Sequence, residues 1–143
     1  MNLNKSLLAP NLLLKLDAWF LIMAGTLAGF ADLLSYLTGK GVWGMTFYKN
    51  PLAIGFFEAH MLAIIIGLFL FRLNRNQDWN FAMVMALLVH LTLGVSNIIW
   101  FDGFSMVNAE TMGTIATVIH FVFVSLYVVI WLKPYLLKSN EKA

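Results

Sequence analysis

Apolar residues run along this chain in four long blocks, at 16–38, 52–71, 79–101 and 111–132, each bounded by a polar cluster. A hydrocarbon core about 30 Å thick takes roughly 20 apolar residues per helix, so each block is long enough to cross a bilayer. None alternates with period two, which argues against a barrel of short strands. The connections, 39–51, 72–78 and 102–110, are too short to hold another domain. The expected fold is therefore all-α. It is a single domain over residues 1–143, a polytopic membrane protein built as an antiparallel bundle of four transmembrane helices.

Punctuation agrees with the blocks. Pro10 and Asn11 mark a helix start, with residues 1–10 as an interfacial lead-in. Gly39 and Gly41 end the first helix, and Asn50-Pro51 opens the second. The first block is too long for the core of a cleaved signal and carries Asp32, so it is expected to be retained. The connection with Val42, Trp43, Met45, Phe47 and Tyr48 is expected to lie on the membrane surface. The connection from Asp102 to Glu110 is expected to be a solvated loop.

Flanking residues orient the blocks. Trp19, Trp79 and Trp131 fall near one face and Trp43 and Trp100 near the other, as amphipathic rings do at headgroup level. Lys5, Lys15, Arg72, Arg75, Lys133, Lys138 and Lys142 share the first side, against Lys40 and Lys49 on the second. Cytoplasmic segments carry the excess of Lys and Arg, which predicts a multi-pass cell-membrane protein with both termini in the cytoplasm. The tail from Lys133 is expected to be a solvated cytoplasmic end touching anionic headgroups.

Composition narrows the classes. Of 143 residues, 61% are hydrophobic and 11% charged, too few charges to cover a small soluble domain. Without cysteine there is neither a disulfide scaffold nor a Cys-based zinc module. No basic cluster exists, so nucleic acid is not an expected partner. The expected partners are the lipid bilayer and other subunits, as a homo-oligomer or a larger membrane complex.

Five ionisable residues lie well inside the blocks: Asp32, Glu58, His60, His90 and His120. Such residues are costly in hydrocarbon and need a partner or a polar cavity. At 1.5 Å of rise per residue, the three histidines sit roughly 12–16 Å into their helices, near the midplane. Four of the five stand on small-residue faces. Gly25, Ala28, Gly29 and Ser35 share the face of Asp32, Ala53, Ala63 and Gly67 that of His60. Ala86, Gly94 and Asn97 share the face of His90, and Gly113, Ala116, Thr117 and Tyr127 that of His120. Small residues let membrane helices approach closely. Three imidazoles and a carboxyl group are thus expected to converge in the interior. Glu58 precedes His60 by about 200° of helix turn and cannot share its direction.

Imidazole is the commonest metal ligand and also holds haem iron. The leading expectation is a His-ligated cofactor at mid-membrane, serving redox or electron transfer or a membrane oxidoreductase. One form is haem b held by two of His60, His90 and His120, with Gly67, Gly94 and Gly113 leaving room for the macrocycle. The other is a transition-metal ion (Zn, Cu or Fe) on all three histidines, with Asp32 as fourth ligand or as acceptor for an imidazole N–H. Glu58, Asn97, Thr117 and Tyr127 would supply a proton path or support the ligands. Two alternatives compete. A proton- or ion-linked transport element would use Asp32, Glu58 and the histidines. A non-catalytic accessory subunit would use its polar residues only to fix helix registry.

Overall fold

The computed structural model describes residues 9–76 and 78–140, with side chains described as far as Leu132. The described elements are all helical: α1 (Pro10–Thr38), α2 (Gly44–Phe47), α3 (Leu52–Arg75), α4 (Trp79–Ile99), α5 (Asp102–Ser105) and α6 (Glu110–Asn140). Four helices are long and apolar enough to cross a membrane: α1, α3, α4 and the Glu110–Leu132 part of α6. The first and last helices extend well past their apolar blocks. The first begins at Pro10, the start that Pro10 and Asn11 mark, and proline occupies its first turn, where no N–H is needed. The last runs as helix to Asn140, past its apolar block. Residues 1–8 of the expected lead-in lie outside the described residues, as do Lys5 and Lys142 and the side chains of Lys133 and Lys138.

The helix ends have local causes. Gly39 adopts φ 67°, the left-handed conformation that costs glycine nothing, and its N–H closes on the Ser35 carbonyl at 2.9 Å. Asn50 Oδ1 accepts the Leu52 N–H at 3.0 Å and opens α3. Arg72 and Arg75 occupy the last turn of α3, where cations meet the negative end of the helix dipole.

Glycines set how closely the helices approach. A Cβ on Gly25 of α1 would stand 2.5 Å from the His60 carbonyl oxygen of α3. Reciprocally, a Cβ on Gly67 of α3 would stand 2.8 Å from the Ala18 carbonyl oxygen of α1. Each helix thus lays its backbone into a notch of the other. The α4–α6 pair closes differently, with the Phe121 ring over Gly94, where a Cβ would meet it at 3.0 Å.

Two buried clusters result. Leu13, Leu14, Ala18 and Leu21 of α1 pack with Leu70, Ala82, Met83, Ala86, Tyr127 and Ile130, joining all four long helices. The second cluster, Phe47, Ala53, Val107 and Ala109, gathers the 39–51 and 102–110 connections with the start of α3. These connections send Phe47, Val107 and Ala109 inward, while Val42, Met45 and Met106 stay at least 60% exposed on the outside. Phe47 is fully buried and Phe104 covers Gly113, because lone aromatic rings gain more from a packed core than from an interface. Large apolar side chains such as Leu27, Phe30 and Ile65 remain at least 60% exposed, an outer surface suited to lipid rather than water.

Candidate functional site

The three histidines fall into two separate clusters rather than one. Asp17 and Asp32, which anchor them, stand fifteen residues apart on α1, about 22 Å of helix rise.

The first cluster joins three helices. Asp17 on α1 is fully buried. Its Oδ2 accepts the Tyr127 hydroxyl of α6 at 2.6 Å, and its Oδ1 lies 2.8 Å from His90 Nε2 of α4. His90 Nδ1 lies 2.8 Å from His120 Nδ1 on α6. Bond logic orders the protons. With Asp17 ionised its carboxylate only accepts, so His90 then donates through Nε2–H. In the neutral ring Nδ1 is then an acceptor, and His120 donates its Nδ1–H. The neutral His120 keeps a lone pair on Nε2, at the half-exposed end of the chain. Phe123 stacks on the His90 ring, with centroids 4.5 Å apart and planes 11° apart. That face of the imidazole is sealed, and the ring is held in line with both partners.

The second cluster is smaller. Asp32 on α1 is fully buried and holds His60 Nδ1 of α3 at 2.6 Å through Oδ2. Its Oδ1 accepts the Trp43 indole N–H at 2.7 Å. Trp43 precedes α2 and stacks on Phe47, so the connection's inward fold delivers this donor. A cleft of about 170 Å³, lined by Asp32, Tyr36 and Phe57 among others, opens beside the carboxylate. The His60 side chain is 27% exposed, and Nδ1 makes its only side-chain hydrogen bond among the described residues.

The other candidates stand apart. Thr117 turns its hydroxyl to the Gly113 carbonyl of its own helix at 2.7 Å. Asn97 is half-buried and makes no side-chain hydrogen bond among the described residues. Glu58 lies on the exposed face of α3, away from both clusters.

The residues do not fit either expected cofactor. Two imidazole nitrogens converge at His90–His120, whereas zinc sites take at least three protein ligands. Reaching three would require His60, which belongs to the other carboxylate. Among the described residues no group of three or more His, Cys, Asp or Glu is placed to hold a metal ion. For a haem, the notches at Gly67, Gly94 and Gly113 are filled by the Ala18 and Ile22 backbone and side chain, Phe121 and Phe104 respectively.

Two residues of these clusters escaped the sequence reading. Asp17 lies at the edge of the first apolar block, one residue after Leu16, and so does not stand out as an intramembrane acid. The pattern Leu13, Asp17, Leu21, Gly25 with steps of four, continued through Gly29 to Asp32, places it on the buried stripe once the helix starts at Pro10. Trp43 had no such signal, since its partner is reached only through the folded connection.

The chain matches no known family model, no curated protein and no solved structure.

Proposed function

We propose that this chain is a proton-linked transport element of the cell membrane. In this reading it is an antiparallel four-helix bundle with both termini in the cytoplasm, and its working part is the His120–His90–Asp17–Tyr127 chain. One observation carries the proposal: His90, fully buried, is bonded through both ring nitrogens. Such an imidazole can take a proton on one nitrogen while releasing another from the opposite one. A proton arriving at His120 Nε2 releases the Nδ1 proton to His90 Nδ1. His90 then passes its Nε2 proton to Asp17, which is left protonated between His90 and Tyr127, and both imidazoles are left as the opposite tautomers. Asp32 with His60 supplies a second carboxylate–imidazole station nearer the other end of α1. Intramembrane acids and histidines mark such paths. Glu58 has no place in this line.

The test is proton flux into liposomes holding the full-length chain, driven by an imposed potential and read with an internal pH dye. Wild type should dissipate the gradient faster than empty vesicles, and His90→Leu should abolish the difference. Equal flux in the two proteins, or none above empty vesicles in wild type, would overturn the relay. The second outcome leaves the accessory-subunit reading. The same sample should show neither a haem Soret band nor an equivalent of metal; either one would restore the redox reading.

A further inference from the structure

A cavity of about 540 Å³ opens where α1 begins and α3 turns into α4. Asn11 and Lys15 of α1, Arg72, Asn74 and Arg75 of α3, and Trp79 of α4 line it. Three cations therefore face one space. Among the described residues, the only ion pairs are those of His60 with Asp32 and His90 with Asp17, so none of the three is neutralised by a carboxylate within bridging distance. Asp17, the nearest acid along α1, turns both oxygens into the relay.

A second, independent feature points to a ligand. Asn74 is only 7% exposed. Its Nδ2 donates to the Asn11 carbonyl at 3.3 Å, which leaves Oδ1 as an acceptor, and that oxygen is buried without a partner among the described residues. An unsatisfied buried acceptor is costly, and a ligand carrying an O–H would relieve it once the Asn74 side chain turns Oδ1 into the cavity. The cavity thus asks for a negative charge and a hydroxyl together. Arginine forks match phosphate oxygens better than they match a single point charge. Trp79, which donates its indole N–H to the Asn74 carbonyl at 3.3 Å, belongs to a residue type that favours headgroup depth.

We propose that this cavity binds a glycerophosphate group, its phosphate between Lys15, Arg72 and Arg75 and a glycerol hydroxyl donating to Asn74 Oδ1. The group can come from phosphatidylglycerol or from a free glycerol phosphate. The site is independent of the relay and stands whether or not protons move.

The experiment is native mass spectrometry of the full-length protein released from detergent, titrated with phosphatidylglycerol or phosphatidylcholine. Wild type should hold one phosphatidylglycerol per chain and show no comparable retention of phosphatidylcholine. Each lysine or arginine near an anionic headgroup counts for roughly fivefold, so the double variant Arg72→Gln, Arg75→Gln should weaken binding about thirtyfold. Both side chains are exposed, so the variant keeps the core intact. The charge-matched variant Lys40→Gln, Lys49→Gln, at the other end of the long helices, should bind as wild type. Displacement of the lipid by millimolar glycerol 3-phosphate assigns the site to the free group, and resistance to it assigns the site to the lipid. Equal retention of the two lipids, undiminished binding by the arginine variant, or an equal loss in the lysine variant would overturn the proposal.

Discussion

Replacing His90 with leucine tests the central cluster, because the side chain is fully buried and makes two hydrogen bonds, each 2.8 Å long. Two magnitudes compete. Interhelical hydrogen bonds in membranes average about 0.6 kcal/mol with a maximum near 1.7, so two neutral bonds would be worth roughly 1–3 kcal/mol. Orphaning a buried ionised group costs about 3–5 kcal/mol. After the substitution Asp17 keeps only the Tyr127 hydroxyl. The second magnitude therefore applies if Asp17 carries its charge, the state in which it accepts from both Tyr127 and His90. The expected loss is about 3–5 kcal/mol. Adding Asp17→Leu removes the orphaned charge, so the double variant should recover at least half of the loss, a coupling of about 2 kcal/mol. The assay is unfolding of the purified protein in mixed micelles of increasing sodium dodecyl sulfate, followed by tryptophan fluorescence. A single-variant loss below about 1 kcal/mol, or additive effects of the two substitutions, would refute an ionised, mutually dependent cluster.

Three further outcomes are expected. Gly25→Ala puts a methyl 2.5 Å from the His60 carbonyl and should lower stability by about 1–3 kcal/mol, whereas Gly55→Ala meets nothing within 4 Å and should be neutral or stabilising in the same unfolding assay. Trp43→Phe keeps the stack on Phe47 but removes the 2.7 Å donor to Asp32; it should cost about 1–3 kcal/mol and speed proteolysis of the 39–51 connection. Tyr127→Phe removes one of the two donors to Asp17 without emptying the core, and should lower proton flux in liposomes while the protein still folds; flux equal to wild type would remove Tyr127 from the path.

Parts of this site were legible in the residues alone. Asp32 and His60 stood out because ionisable groups in an apolar block must find partners, and here they find each other. Tyr127 lay on the His120 face and does enter the first cluster, with Asp17. Gly25 and Gly29 indicated a close helix contact, which α1 and α3 make. Equal depth, however, did not bring the three imidazoles together. Depth locates a residue along a helix axis, but its partner depends on helix rotation and neighbour choice, and α1 carries two carboxylates that draw the histidines apart. Trp43 shows the same limit, since a loop residue pairs wherever the connection folds.

Four apolar stretches, their small-residue stripes and their Gly and Pro boundaries were set by the order of residues, because span length, helix periodicity and backbone conformation are local properties. Partner selection was decided only in three dimensions. Which imidazole meets which carboxylate, which ring fills each glycine notch, and the crowding of three cations around one unsatisfied amide all depend on distances between helices remote in the chain. Those distances follow from packing all four helices at once.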